Sequence, residues 1–185
     1  MRRQVTIALV MGSVVALFGS GLVSAKAGPV PWELNRVRAA VARYHDLNQA
    51  LQDGYSLAGE PCVASPDGTM GYHAVNMALA ASGANEATTP PILLYAPKNG
   101  KLQLVAVEYW HIALANTENG PAPWFSATPP PLGFFNPAPA VLGQTFDGPM
   151  AGHNPQMPWH YDLHVWVVEA NPNGIFTQFN PAISC

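Results

Sequence analysis

The chain carries few charges. Only 10% of its 185 residues are Asp, Glu, Lys or Arg, and eight basic residues stand against eleven acidic ones. A protein that binds nucleic acid needs a basic surface to neutralise phosphates, and this composition does not supply one. We therefore expect no nucleic acid among its partners.

The common catalytic signatures are also missing. After the first 27 residues there is no G-x-S-x-G nucleophile motif, no G-x-G-x-x-G dinucleotide motif and no phosphate-binding P-loop. A glycosidase needs two paired carboxylates, and Glu108 and Asp162 are the only pair that suggests itself. Histidines near these two residues fit metal chemistry better than glycoside hydrolysis.

The N-terminus has the pattern of an export signal. Two arginines precede an apolar stretch from about residue 5 to residue 23, and Ala25-Lys26-Ala27 supplies an A-x-A cleavage site. A second small-residue site ends at Ala25, and an uncleaved membrane anchor is the alternative interpretation. We predict a signal peptide over residues 1–27 and a single domain over residues 28–185, exported to the periplasm or the exterior. No later apolar run is suited to span a membrane.

Cysteine is scarce as well, since only Cys62 and Cys185 occur. In an oxidising compartment two cysteines most simply form one disulfide. Such a bond would fasten the C-terminus to the early part of the domain. The alternatives are a free thiol or a cysteine that binds a metal ion.

The first half of the domain combines helix and loop patterns. Apolar residues recur at helical spacing over residues 31–53 and predict an amphipathic helix. Glycines and prolines predict a loop over residues 59–71. Residues 71–76 fit either a strand or the entry to a helix, and Met77 to Ala84 fit one or two helical turns.

The clearest β signal is a hairpin over residues 92–111, where Asn99-Gly100 suits a type I′ turn. Its second strand is apolar on both faces, which predicts a central strand covered on both sides. Alternation places Glu108 on one face of this strand and His111 on the other. A further strand is predicted over residues 160–169.

A long segment over residues 119–158 is rich in proline, glycine and aromatic residues. We predict an ordered loop that either covers the sheet or acts as a lid over a site. The complete pattern predicts an α+β domain, with the N-terminal amphipathic helix packed on an antiparallel sheet. A turn-rich tail over residues 171–185 completes the chain.

Three of the six histidines fall within twelve residues near the C-terminus, at His153, His160 and His164. Imidazole is the commonest protein ligand for transition metals. On a strand, however, His160 and His164 lie about 13 Å apart along the backbone, so both reach one ion only if the strand twists or bends. His164 with Asp162 as an orienting partner is the safer core of a site.

Glu108 is the second candidate, because a buried carboxylate needs a partner and few lysines or arginines are available. The alternative is that Glu108 faces solvent at a sheet edge. His73 follows a glycine and a tyrosine, and it could be a metal ligand or a hydrogen-bonded core residue. The predicted ligands are His73, Glu108, His160 and His164, with His153, Met150 and Met157 in second rank.

These donors suit copper, zinc or iron, and the methionines would favour copper. The leading hypothesis is an exported metal-binding protein; if it is an enzyme, it is a metal-dependent hydrolase or oxidoreductase. The second hypothesis is a metal-free binding module with an aromatic, apolar cleft for a small molecule. The third is a structural secreted domain.

The runs GYHAVN, FDGPMAGHNPQMPWHYDLHVW and FNPAISC resemble a group of secreted bacterial proteins of unknown function that carry GYHxVN and HYDLHVW motifs. The resemblance covers most of the predicted mature chain. It implies export and a single domain, and it implies no activity.

Overall fold

The computed structural model describes residues 31–57, 59 and 61–185, so the predicted signal peptide over residues 1–27 lies outside the described residues. The described chain forms a seven-stranded antiparallel sheet with short helical segments. This architecture confirms the predicted α+β class. No helix within the described ranges has the length and apolar character that a membrane span requires.

The helical segments are α1 (Pro31–Val41), a 3₁₀ turn (Ala42–His45), α2 (Leu47–Gln52) and α3 (Met77–Ser82). The first five strands are β1 (Ser56–Leu57), β2 (Val63–Ser65), β3 (Gly68–Val75), β4 (Ile92–Lys98) and β5 (Lys101–Ile112). The remaining strands are β6 (Leu114–Ala115), β7 (Ala122–Pro123), β8 (Ala140–Val141), β9 (Gln144–Thr145), β10 (Asp147–Met150) and β11 (His160–Val165).

The large sheet has the strand order β1-β3-β4-β5-β11-β10, with β2 paired to β3. Strands β6 and β7 form one small sheet, and β8 and β9 form another. Asn99 and Gly100 both have positive φ, 54° and 74°, as the tight turn between β4 and β5 requires. The predicted hairpin is therefore present, and β5 lies in the interior of the sheet between β4 and β11.

The main core lies between the N-terminal helical segments and one face of this sheet. Val37, Val41 and Ala50 are fully buried and belong to the same apolar cluster as Leu93 and Val107. Leu93 on β4 and Val107 on β5 alternate along their strands with side chains of the opposite face. The opposite face, here called the second face, can therefore carry polar side chains without placing them in the main core.

The predicted helix over residues 31–53 is wrong in one respect, because the chain breaks it at Asp46. This residue is extended, with φ −89° and ψ 108°, and its side chain accepts a hydrogen bond from the Asn48 amide. Aspartate stabilises a helix as an N-cap better than within the helix. The helical spacing of apolar residues continues across the break, which is why the pattern predicted one helix.

Two predicted strand boundaries also need correction. The predicted loop over residues 59–71 contains β2 and the start of β3, joined by a turn in which the Ser65 hydroxyl accepts a hydrogen bond from the Asp67 amide. The predicted strand over residues 160–169 ends at Val165, because the Val167 amide turns back to the Val165 carbonyl oxygen. Residues 71–76, which fitted either a strand or a helix entry, belong to β3 up to Val75.

The proline-rich segment over residues 119–158 is ordered by its aromatic side chains. The Trp159 indole donates to the Ser126 carbonyl oxygen at 2.7 Å, and its ring packs on Phe134 with centroids 5.2 Å apart. Asp147–Met150 within the segment form β10, the edge strand beside β11. The segment therefore covers the sheet and also extends it.

The predicted disulfide between Cys62 and Cys185 is present and joins residues 123 positions apart. Close to it, Thr69 and Asn180 exchange two backbone hydrogen bonds of 3.1 and 3.0 Å. The C-terminal tail is thus held against the start of β3 by covalent and hydrogen bonds together.

Candidate metal site

Strand register brings three predicted ligands together on the second face of the sheet. His164 of β11 lies directly opposite Glu108 of β5. On the other side of β5, Ile92 pairs with Glu108, and His73 pairs with Leu94, two residues along β4. His73, Glu108 and His164 therefore converge across four neighbouring strands, far apart in sequence but adjacent in the sheet.

The donor atoms of these three residues lie within 4.8 Å of one another. The Glu108 Oε2 atom is 3.2 Å from His73 Nε2 and 3.6 Å from His164 Nε2. Two donors bound at about 2.1 Å to one tetrahedral ion are separated by about 3.4 Å. The spacing of the three side chains thus matches a site that holds a metal ion.

All three side chains are buried, with exposed fractions of 7% for His73 and 2% for both Glu108 and His164. Burial by itself raises the pKa of Glu108, but the charges that His164 and His73 can carry outweigh it and lower the pKa to about 2. Glu108 is thus an anion in the protein interior. The alternative that it faces solvent at a sheet edge is wrong.

The described lysines and arginines do not neutralise this anion. Arg43 pairs with Asp53, and Lys98 pairs with Glu169 at the surface. Arg38 donates to the Val167 carbonyl oxygen. The positive charge that Glu108 requires must therefore come from protonated histidines or from a bound cation.

Two further buried groups adjoin the site. Asp162 Oδ1 is 3.8 Å from His164 Nδ1, and Asp162 Oδ2 is 3.7 Å from His160 Nε2. His160 is fully buried and Asp162 is 1% exposed. Within the described chain, the two carboxylate oxygens of Asp162 have no hydrogen-bond partner. The Nε2 atom of His160 has none either. The charged cluster thus extends along β11 beyond the three residues that share one centre.

A cavity of about 230 Å³ opens onto the site. His73 and Glu108 reach its wall, and the rest of its lining is mostly apolar. The loop between β10 and β11 lines one part of it, and α3 lines another. The other lining residues are Val75, Met77, Ala80, Ile92, Trp110, His153, Asn154, Gln156, Met157 and Pro158.

The second-rank ligand candidates occupy different places. His153 and Met157 line the cavity, and the His153 ring lies 6.0 Å from the His160 ring. Met150 lies on β10, where its sulfur accepts a hydrogen bond from Gln178 at 3.6 Å. His111 lies on the other face of β5 from Glu108, beside Gly83, as alternation predicted. The soft donors are therefore not gathered at the centre formed by His73, Glu108 and His164.

The contribution of α3 to the cavity could not be found in the sequence. Asn76 follows the last residue of β3 and caps α3 with its side chain. The helix that begins there brings Met77 and Ala80 to the cavity wall. The capping asparagine is visible in the sequence, but the direction in which the helix leaves the strand is not. Trp110 lines the cavity together with Glu108 because the two residues are two positions apart on β5 and share a face.

The sequence matches no protein-family model, and comparisons with curated proteins and with solved structures found no match. The resemblance to secreted bacterial proteins of unknown function stays a prediction. Function must therefore be argued from the geometry of the site.

Proposed function

We propose that this chain is an exported metal-binding protein, and that His73, Glu108 and His164 bind one transition-metal ion at the floor of the cavity. The observation that carries the proposal is the convergence of two imidazole nitrogens and one carboxylate oxygen in a buried place. A divalent cation there would neutralise Glu108 and bind the imidazole nitrogens that face it.

The donor set indicates the kind of ion. Two imidazoles and one carboxylate are typical of catalytic zinc and of non-haem iron. Copper has less support, because Met150 is engaged with Gln178 and Met157 lies in the cavity wall. We favour zinc or iron over copper for this centre.

Three protein ligands leave a coordination position open. The cavity adjoins His73 and Glu108, so that position would face an apolar space. An ion in such a place can activate water or bind dioxygen, which is the chemistry of metal-dependent hydrolases and oxidoreductases. Export is supported by the disulfide, since such bonds persist in oxidising compartments.

Metal content tests the proposal. The protein would be purified without a tag from its natural compartment, and its metal measured together with that of Glu108→Gln and His45→Ala. His45 is exposed on the N-terminal helical segment and serves as the matched control. We expect at least one ion per chain in the natural protein and in His45→Ala, and loss of the ion from Glu108→Gln. A natural protein that stays metal-free after exposure to zinc, iron and copper would refute the proposal.

The cavity itself favours a second candidate, a binding module for small apolar molecules that uses no metal. Its wall carries Trp110, Ile92 and Val75, which suit an apolar ligand. In that case, small apolar molecules should raise the melting temperature of metal-free protein, and Glu108→Gln should leave the shift unchanged.

A further inference from the structure

We propose that His160 and Asp162 form a second metal position beside the first, so that the cluster binds two ions. The inference deepens the proposed function and rests on it, because the second position shares its surroundings with His164. It assigns a role to the two most deeply buried polar side chains of β11 that the first position does not use.

The tautomer of His160 is set by its backbone partner. Its Nδ1 atom lies 3.0 Å from the Pro158 carbonyl oxygen, which can only accept a hydrogen bond. Nδ1 therefore carries the proton, and a neutral ring presents the lone pair of Nε2 on its other side. This arrangement, with one ring nitrogen donating to a carbonyl, is the one that metal-binding histidines adopt.

In the neutral ring, the lone pair of His160 Nε2 faces the lone pairs of a carboxylate oxygen. The nearest carboxylate oxygen, Asp162 Oδ2, is 3.7 Å from Nε2. A proton shared between an imidazole and a carboxylate draws the two atoms to about 2.7–2.9 Å. A zinc-type ion holds two donors about 3.4 Å apart. The observed separation is too long for a shared proton and close to that of two metal ligands.

Burial makes the pair costly without a cation. Both residues are 1% exposed or less, and their facing atoms have no hydrogen-bond partner among the described residues. A carboxylate in such a place destabilises the fold unless a cation neutralises it. No lysine or arginine ion pair reaches it, since those found in the described chain lie at Asp53 and Glu169.

Asp162 stands between the two positions. Its Oδ1 atom is 3.8 Å from Nδ1 of His164, the ring whose Nε2 faces Glu108. The His153 ring approaches His160 nearly edge-on, at 86°, from the cavity wall. Glu108 and Asp162 together neutralise only one divalent ion. The second ion therefore requires an anionic ligand, either hydroxide or the oxyanion of a substrate that enters through the cavity.

Zinc stoichiometry tests the inference. Metal-free protein would be titrated with Zn²⁺ by calorimetry, desalted, and its zinc counted by elemental analysis. We expect two ions per chain in the natural protein and in His45→Ala, and one ion in His160→Ala. Asp162→Asn keeps the shape of the side chain, so it should also drop to one ion and provides the readout if His160→Ala does not fold.

The outcomes separate this inference from the proposed function. One ion in the natural protein overturns the second position and leaves the first intact. No ion at all refutes the proposed function. Two ions retained by folded His160→Ala, or both ions lost from each of the two folded variants, overturn the assignment of the second position to His160 and Asp162.

Discussion

At the scale of single residues, the site depends on which side of β5 each side chain faces. Glu108 lies between Val107 and Tyr109, both fully buried in the main core. A shift of the pairing by one residue would move the carboxylate into that core and a valine into the cluster. The strand pairing that builds the core therefore also places the Glu108 carboxylate in the candidate site.

The sequence predicted His73, Glu108 and His164 from simple physical arguments. A charge within an apolar strand needs a partner, and so few basic residues are present that histidine or metal is the natural choice. The sequence could not separate His160 from the first centre, because the twist of β11 decides how far its donor atom lies from the others. Nor could it place Met150, whose partner Gln178 comes from the distant tail.

Gly71 offers a residue-scale prediction. It has φ +107°, and a Cβ atom there would lie 2.6 Å from the Tyr95 carbonyl oxygen of the neighbouring strand. Gly71→Ala should therefore push β3 away from β4, two residues from His73, and cost at least about 2–4 kcal/mol. Urea unfolding followed by circular dichroism measures this loss.

Gly100→Ala is the matched control for Gly71→Ala. Gly100 also has positive φ, +74°, but nothing lies within 4 Å of a Cβ atom built there. Only the backbone strain remains, so the cost should be about 1 kcal/mol. Equal costs at the two glycines would contradict the steric argument.

At the scale of elements, the hydroxyls of three buried tyrosines connect separate segments around the core. Tyr95 donates to the Tyr44 carbonyl oxygen at 2.7 Å, Tyr55 to that of Pro90 at 2.7 Å, and Tyr109 to that of Ala87 at 2.5 Å. Each bond joins a buried aromatic ring to a different part of the chain. The tyrosines thus position loops that alternation of apolar residues leaves undetermined.

Tyr109→Phe should lower the free energy of unfolding by about 1–3 kcal/mol, because it leaves the Ala87 carbonyl oxygen without this donor. Tyr72→Phe is the control, since the half-buried Tyr72 hydroxyl makes no hydrogen bond among the described residues. Chemical denaturation of both variants measures the difference. A loss at Tyr72 as large as that at Tyr109 would contradict the prediction.

The same tyrosines predict how stability depends on high pH. Burial raises the pKa of Tyr55, Tyr95 and Tyr109 above the usual value of 10.0. The folded chain therefore keeps phenol protons that the unfolded chain releases, and stability is full below pH 10 and falls as pH rises above it. Unfolding curves between pH 9 and 11.5, with tyrosinate absorbance at 295 nm, check this. Ionisation of all six tyrosines before the fold is lost would contradict it.

The sequence predicted elements better than it predicted their ends. The hairpin between β4 and β5 was clear from Asn99-Gly100 and the apolar runs around it. The break at Asp46 and the end of β11 at Val165 were not, because helical and alternating patterns both continue past them. Local hydrogen bonds end these elements, and the spacing of apolar residues does not predict such bonds.

At the scale of the whole molecule, the disulfide closes residues 62–185 into one loop. Replacing Cys62 and Cys185 by serine leaves the tail held by non-covalent contacts alone, among them the two backbone hydrogen bonds between Asn180 and Thr69. A loop of 123 residues predicts a loss of about 5 kcal/mol on a chain-entropy argument. Comparison of unfolding midpoints for the oxidised protein and the double serine variant measures it. Equal midpoints would show that the disulfide contributes nothing to stability.

The cavity is lined by strands on one side and by a loop on another. Its floor consists of side chains fixed in the middle of hydrogen-bonded strands, whereas the opposite wall over residues 153–158 is a connection between β10 and β11. Exchanging that connection for another of equal length would leave every strand pairing of the floor in place. Loop exchange can therefore change which molecules fit the cavity while the residues proposed to bind a metal ion stay in place.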